Sequence, residues 1–393
     1  MTDKTKYYIW LSLGIGFASR KSTQIYSAYE NEIEQLYEGG ERELRYYGIF
    51  SEQEIERLLH TDISAAEKII NNCKELGYEI LDISESKYPH NLRSIEDAPL
   101  VLYVDGKMPP LDKIYSVSII GTRKATVYGI RTAFELGANL SKKGICVVSG
   151  GALGIDCAAH RGVLHVAGRT VCVLGCGLDV DYLRENKAMR KQITEKGAVI
   201  SEYPPGTPVS AHNFPQRNRI ISGLTYGTVV VEAPLRSGSM ITVNFALEQC
   251  RDVFAVMGNI DSPYSEGTNA LIKEGAIPVT SYKDIAEYYL DVDDRPDKPV
   301  DIPTEAVLAV PNKLKTPVDT TKTDNTPVPV HKENLTLSEE EKTVYYLIGQ
   351  EPIHVDKIAE MSALPTHKVL RIISSLEIRD LIKNIEGRNY VLN

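Results

Sequence analysis

Hydrophobic positions divide the chain into four segments that differ in their period. Residues 1–85 show short apolar repeats with helical spacing, such as Gln53–Leu59 and Ser64–Leu76, separated by glycines and polar turns. This spacing predicts a small helical domain. Near its start, Gly14-Ile15-Gly16 fits a turn between two core helices, and the alternative is a helix-hairpin-helix whose glycines touch a nucleic-acid backbone.

A different rhythm begins near Tyr115, where short β-branched runs alternate with helix-length segments. Continuously apolar strands joined by helices indicate a mostly parallel sheet with helices on both faces, because right-handed crossovers place the helices there. Residues 86–290 are therefore predicted to form an α/β, Rossmann-like domain. The predicted strands are Ser116–Ile120, Ile145–Val148, Thr170–Leu174, Ala198–Ser201, Thr228–Val231 and Val253–Val256, and the predicted helices are Thr126–Lys143, Gly154–Ala167, Arg184–Lys196 and Ser239–Gln249.

The last two segments are a linker and a second small domain. Residues 291–334 combine many prolines with Asp, Lys and Thr, a composition that buries too little apolar surface to fold. Residues 335–393 read as a winged helix with helices at Ser338–Gly349, Val355–Ala359 and Thr366–Glu377, followed by the strand pair Leu381–Asn384 and Asn389–Leu392. This domain has 7 Lys and Arg against 9 Asp and Glu, so we favour a protein-contact or oligomer-contact role over duplex binding.

Composition narrows the class of protein. The chain has 393 residues, of which 42% are hydrophobic and 25% are charged. This length is more than one hydrophobic core usually holds, so we expect two or three folded domains. No apolar run approaches the roughly 18–20 residues that span a bilayer, so no membrane-spanning role is expected. The six cysteines include no C-x-x-C pair, which predicts buried thiols in the reducing cytoplasm and neither a disulfide framework nor a metal site.

Charge is unevenly distributed along the chain. The net charge is −9, yet residues 114–290 carry 18 Lys and Arg against 15 Asp and Glu, and the remainder carries −12. A mildly basic sheet domain within an acidic chain permits a local phosphate site, although an excess of three charges would not predict one.

The most informative motif is a glycine-rich turn that leaves a predicted strand and enters a helix at once. Ser149, Gly150, Gly151 and Gly154 make up this turn, and Ser149 replaces the first glycine of the dinucleotide fingerprint. Glycines let a backbone approach an anion, and the helix start presents free N–H groups to it. No acidic residue clearly ends the next strand, so a phosphate fits better than a nicotinamide or flavin cofactor. The alternative is that the glycines serve helix–strand packing alone.

Arginines follow two other strands. Arg123 lies in the turn after the first strand, where parallel-sheet proteins place ligand contacts. Arg217 and Arg219, with Asn218 between them, crowd the start of a helix whose dipole opposes cations. An anionic ligand would remove that conflict, and Arg provides a bidentate fork for phosphate. The alternative is that Arg217 and Arg219 are solvated surface side chains.

Further polar turns follow the remaining strands and supply Ser237, Ser239 and Asn269. Together these loops predict a polar, anion-friendly floor at one edge of the sheet. No nucleophile motif accompanies any histidine, so no catalytic residue is assigned. Asp156 and Glu232 could act as a base or hold a metal, but Asp156 at a helix start is more simply a dipole partner.

These motifs together resemble the DNA-processing protein A (DprA, or Smf) family of bacteria. The similarity covers residues 88–282 strongly and the two flanking domains in layout, so that the N-terminal helical segment would be SAM-like. It rests on ordered motifs: Ser118–Arg123, Thr126–Gly129, Ser149–Asp156, Ala159–Gly162, Phe214–Gly223, Ser237–Ser239 and Gly267–Asn269. Leu153 departs from the family pattern, because a basic residue is common at its position.

The resemblance implies a non-enzymatic, cofactor-free protein that binds single-stranded DNA, forms homodimers and loads the recombinase RecA onto incoming DNA in natural transformation. On that basis Ser149, Gly150, Gly151 and Gly154 cradle a backbone phosphate, while the three arginines supply charge. Replacing both helix arginines by alanine is then expected to abolish DNA binding with little loss of stability. The alternatives are a Rossmann-type nucleoside monophosphate hydrolase with Glu232 as its acid, and a nucleotide-sensing regulator.

Overall fold

The computed structural model describes residues 2–29, 32–46, 48–290, 339–348, 353–362, 382–385 and 389–392, and single positions between them at 364, 368, 369, 372, 373 and 376. Two compact units, Met1–Lys313 and Leu314–Asn393, make up the chain. The predicted linker, residues 291–334, lies outside the described residues.

The chain begins with six helices, as its apolar spacing predicts. Trp10 lies in their core, and its indole N–H donates to the carbonyls of Leu58 and Thr61. Gly14 is close-packed, since a Cβ there would collide with the Leu58 side chain, and Gly16 ends the first helix with φ +83°. Gly16 therefore begins the turn between two core helices, while Gly14 belongs to the last turn of the first helix. The helices are α1 Thr5–Ile15, α2 Lys21–Tyr29, α3 Ile33–Glu38, α4 Gly40–Tyr46, α5 Glu52–His60 and α6 Ile63–Leu76.

A nine-stranded sheet follows, in the order β1-β2-β6-β5-β4-β3-β7-β8-β9. Strands β3 to β9 run parallel to one another, and β2 joins β6 in antiparallel register, with β1 antiparallel to β2 at the edge. The six predicted strands are confirmed to within about one residue. The strands are β1 Glu79–Asp82, β2 Val101–Gly106, β3 Ser116–Ile120, β4 Cys146–Ser149, β5 Thr170–Leu174, β6 Ala198–Ser201, β7 Gly227–Val230, β8 Asp252–Val256 and β9 Ile277–Val279.

Helices cover both faces of the sheet, so its central strands are buried on both sides. Helices α8 (Val127–Lys142) and α9 (Ile155–His165) pack closely at Gly137 and Gly162, where a Cβ would collide with the carbonyls of Ala159 and Phe134, respectively. The start of α9 lies beside the end of β3, where a Cβ on Gly121 would collide with the Ile155 side chain. The helices are α7 His90–Arg93, α8 Val127–Lys142, α9 Ile155–His165, α10 Lys187–Lys196, α11 Asn213–Gly223, α12 Gly238–Glu248, α13 Glu266–Lys273 and α14 Tyr282–Tyr289.

The C-terminal unit has its own apolar core, to which Val344, Ile358 and Tyr390 contribute. Most of the predicted third helix, Thr366–Glu377, lies outside the described residues, although Val369 and Leu376 are helical and buried. The described elements are α15 Glu339–Leu347, α16 Val355–Ser362 and a three-stranded sheet of β10 Ile353–His354, β11 Ile382–Ile385 and β12 Asn389–Leu392. Within the described part of the chain, no helix is both long and apolar enough to cross a membrane.

Candidate functional site

A cleft of about 650 Å³ opens at the carboxyl ends of the parallel strands. Its walls come from the turns after β3 and β4, from the segment before α11, and from the first turns of α11 and α12. Ligand sites in open α/β sheets lie at this edge, at the point where the strand order reverses, which is between β3 and β7 here. The lining residues include Thr122, Arg123, Ala152, Asp156, Phe214, Arg217, Asn218, Ile221, Ser237, Ser239 and Thr242.

An aromatic and cationic cluster stands at this cleft. The Phe214 ring lies 5.2 Å from the Tyr182 ring at an interplanar angle of 37°. The Arg123 guanidinium is 5.7 Å from the Phe214 ring centroid, and Arg217 is 6.0 Å from the same centroid. Arg123 is exposed, while Phe214 and Tyr182 are half-buried. An exposed cation beside a partly open aromatic face can contact a phosphate and a stacked base together. Tyr182 and Phe214 are 32 positions apart in the sequence, and no spacing motif predicts that the fold pairs them.

The glycine-rich turn after β4 is packed too tightly for side chains. Gly151 and Gly154 have φ of +63° and +83°, and a Cβ on Gly154 would collide with the carbonyl of Thr122. A Cβ on Gly150 would lie 2.5 Å from the Arg217 guanidinium. Ser149 is buried and donates its hydroxyl to the Ile119 carbonyl at 2.7 Å. Its hydroxyl thus joins two strands, and it does not face the cleft.

Asp156 occupies the inside of this turn. Its Oδ2 accepts from the backbone N–H groups of Gly150 and Ala152 at 3.2 and 3.3 Å. The side chain is buried, and desolvation raises its pKa, while the Arg217 charge and these N–H groups oppose the rise. The sequence interpretation of Asp156 as a helix-dipole partner therefore captures only part of its role.

Arg217 lies at the floor of the cleft, with only 3% of its surface exposed. It donates to the carbonyls of Gly150, at 2.8 Å, and Val173. Burial lowers its pKa, and Asp156 opposes that change. Because these contacts hold Arg217 within the protein, its position at a helix start does not by itself indicate an external anion.

Arg219 does not reach the cleft, and this corrects the sequence expectation. It is 1% exposed and donates to both carboxylate oxygens of Glu202, at 2.7 and 2.8 Å, while its Nε lies 3.2 Å from an Asp97 oxygen. Its charge is therefore neutralised within the protein. The alternative of two solvated surface arginines is wrong as well, since both are buried. Removing either one is expected to cost stability, contrary to the sequence-based expectation.

The remaining predicted residues divide into two groups. Asn218 lines the cleft, and Ser237 lines it while capping α12, where its hydroxyl accepts from the N–H of Ser239 at 3.2 Å. Asn269 exchanges hydrogen bonds with the backbone of Gly258 at 3.2 and 3.3 Å and does not line the cleft. It fixes the turn after β8.

Glu232, the candidate acid of the nucleoside monophosphate hydrolase alternative, is buried and bonded within the protein. Glu232 is buried and accepts from the N–H and hydroxyl of Thr126, at 2.9 and 2.5 Å, at the start of α8. Burial raises its pKa. Across the described residues, no group of three or more His, Cys, Asp or Glu side chains is arranged to hold a metal ion.

A Rossmann-like sheet with a polar cleft at its carboxyl edge, preceded by a helical segment and followed by a second small unit, defines a modular α/β binding protein. Residues 79–290 match the family model described as DNA recombination-mediator protein A, and residues 329–388 match the DprA winged helix domain. The chain belongs to the DNA recombination-mediator protein A family.

Named relatives agree with that family. DNA processing protein DprA of Bacillus subtilis (strain 168) is 40% identical over 220 residues, which cover 56% of this chain and 74% of that protein. Protein Smf of Synechocystis sp. is 33% identical over 322 residues and 79% of each chain. The X-ray structure of DNA processing protein A from Streptococcus pneumoniae superposes with a TM-score of 0.63 at 34% identity, covering 74% of this chain and 99% of that one.

Proposed function

We propose that this protein binds single-stranded DNA in the cleft at the carboxyl edge of its sheet and catalyses no reaction there. The proposal rests first on the cluster of Arg123, Phe214 and Tyr182, which offers one exposed cation and a partly open aromatic pair. Single strands are bound without sequence preference by this combination, because every base has a face that stacks and every nucleotide has a phosphate. Membership of a DNA recombination-mediator family supports the same conclusion.

The DNA phosphates are expected to contact the outer cleft. Arg123 provides the exposed charge, Asn218 provides an amide, and the first turn of α12 behind Ser237 provides backbone N–H groups. Arg217, whose charge is offset by Asp156, lies at the floor of the cleft and is not expected to contact DNA directly. Ser149, Arg219 and Asn269 are expected to act through structure alone.

In the cell, the protein is proposed to be a cytoplasmic homodimer that protects incoming strands and loads RecA onto them during natural transformation. Exposed apolar side chains around α12 and the turn after β8 support self-association, among them Leu235, Leu247 and Ile260. Analytical ultracentrifugation of the wild type and of the double variant Leu247→Lys with Ile260→Lys tests this self-association. The wild type should sediment as a dimer and the double variant as a monomer. A monomeric wild type would contradict it.

RecA loading is tested by RecA ATPase on DNA coated with single-strand-binding protein, with and without this protein.

Fluorescence anisotropy of a labelled oligo-dT tests the binding function, at two or more salt concentrations. Tight binding that an equal concentration of duplex does not displace is expected. Arg123→Ala is expected to weaken binding about 10-fold and to reduce the slope of log K against log salt by about 0.7, the value for one single-strand phosphate. Arg131→Ala is the matched control, because Arg131 is an exposed arginine whose partner is Glu135 on α8. Equal effects of the two substitutions, or no binding at low salt, would refute the proposal.

A further inference from the structure

The glycine-rich turn between β4 and α9 has the shape of an anion cradle but already contains an anion. Its two inward N–H groups, on Gly150 and Ala152, both point to Oδ2 of Asp156. This carboxylate belongs to the first turn of α9, so it also lies at the positive end of that helix. The groups that bind a phosphate in nucleotide-binding Rossmann proteins are therefore saturated from within.

A buried cation completes this internal arrangement. The Arg217 guanidinium packs directly on Gly150, donates to two carbonyls, and has its Nε buried without a hydrogen-bond partner. Asp156 is the carboxylate that acts most strongly on it. Carboxylate, cradle and guanidinium thus lie together at the floor of the cleft, and the opposite charges of Asp156 and Arg217 offset each other.

We propose that Asp156 is a built-in substitute for phosphate that closes the glycine-rich turn to free phosphate monoesters, and so restricts this cleft to polymeric DNA. A phosphate monoester carries a charge of about −1.5 to −2 at neutral pH and would meet a fixed negative charge where it needs donors. A phosphodiester strand does not depend on one cradle, because its affinity is the sum over several phosphates and stacked bases. The inference deepens the proposed function, since it names what the site rejects.

The test measures phosphate binding without DNA. Asp156→Ala removes the internal anion, frees both N–H groups and leaves Arg217 uncompensated. Thermal unfolding is compared in 50 mM sodium phosphate and in sodium chloride of equal ionic strength, about neutral pH, and again with thymidine monophosphate. For a Kd near 1 mM, the melting temperature of Asp156→Ala should rise by about 5 °C in phosphate. The wild type should shift by less than about 1 °C.

Asp82→Ala is the matched control. Asp82 is also a buried aspartate, but its carboxylate accepts from the hydroxyls of Thr2, Thr5 and Ser84 and from the Ser84 N–H. Its removal should produce no phosphate response. A folded Asp156→Ala that ignores phosphate would overturn the inference, and so would a wild type that phosphate stabilises equally.

If Asp156→Ala does not fold in sodium chloride, sodium phosphate should restore the circular-dichroism spectrum of the folded protein. Asp156→Asn is tested in the same way. If phosphate restored neither variant, the proposal that Asp156 replaces a phosphate would be refuted. Oligo-dT binding by the wild type is measured separately. If the wild type did not bind oligo-dT, the proposed DNA-binding function would be wrong. The response of Asp156→Ala to phosphate decides separately whether Asp156 closes the glycine-rich turn to phosphate monoesters.

Discussion

Arg219 and Arg123 should separate stability from DNA binding when each is replaced by alanine. Arg219 is fully buried in an ion cluster with Glu202 and Asp97, so its removal leaves the Glu202 carboxylate, 6% exposed, without its bidentate partner. Breaking a buried pair from one side costs about 3–5 kcal/mol. At about 2–4 °C per kcal/mol for domains of 150–250 residues, the melting temperature should fall by about 6–20 °C. Arg123 is exposed, and its loss should change stability by less than about 0.5 kcal/mol.

The assay pairs urea denaturation with oligo-dT anisotropy at a temperature where every variant is folded. Arg219→Ala should lose stability and keep its affinity within about 3-fold, whereas Arg123→Ala should keep its stability and lose affinity about 10-fold. The double substitution Arg219→Met with Glu202→Gln should recover part of the stability, because it removes the two most deeply buried charges and leaves only Asp97 without its partner.

The opposite pattern would refute this division. If Arg219→Ala melted within about 2 °C of the wild type and lost DNA binding, the arginine would be free to reach a phosphate and the ion cluster would not hold it. If the Met and Gln double variant were as unstable as the single one, packing rather than charge would explain the loss.

Four further outcomes are expected. Phe214→Ala should weaken oligo-dT binding about 10-fold and Phe214→Trp should preserve it, because an aromatic face is what stacks; equal loss in both would contradict the platform. Gly154→Ala should destabilise the protein by more than about 1 kcal/mol in urea, since φ is +83° there and the Thr122 carbonyl fills the space; an unchanged midpoint would contradict the packing argument. Burial lowers the pKa of His160 to about 3, so the unfolded chain binds an extra proton between pH 3 and 6.5 and stability is lost as the pH falls. The drop from pH 7.5 to 5 should then be smaller in His160→Asn by about 2 kcal/mol, and equal drops would refute this. Of the six cysteines only Cys250 is exposed, so Ellman's reagent should label one thiol per native chain rapidly, and fast labelling of more would contradict the buried thiols.

The alternation of apolar strands and helices was enough to predict six of the seven parallel strands, because strands buried on both faces are apolar throughout. The edges of the sheet escaped that logic. Strand β1 is a four-residue antiparallel strand that follows a helical segment, and β9 has three residues and contains Pro278. Short edge strands carry little periodicity, and proline is tolerated where a ladder hydrogen bond is not required. Only the pairing of β1 with β2 and of β9 with β8 defines them as strands.

The sequence predicts the location of the candidate site but not the hydrogen bonds that its side chains make. Every strand of a parallel sheet ends at the same edge, so the turns after β3, β4 and β7 had to converge. Convergence of the turns does not show which of their polar groups are free to bind a ligand. Buried polar groups are nearly always hydrogen-bonded within the protein. Ser149, Asn269 and Glu232 have such partners, and no sequence spacing announces a hydroxyl bonded to a neighbouring strand.

Helical spacing could have separated the two arginines. Residues two apart on an α-helix point about 200° away from each other, so Arg217 and Arg219 cannot share one ligand. The cleft is lined by Phe214, Asn218 and Ile221, which are four and three residues apart and therefore lie on one stripe of α11. Arg217 borders that stripe and Arg219 faces the opposite side, towards Glu202. A dense arginine motif at a helix start can thus supply one residue to a site and use another to anchor the helix that carries the site.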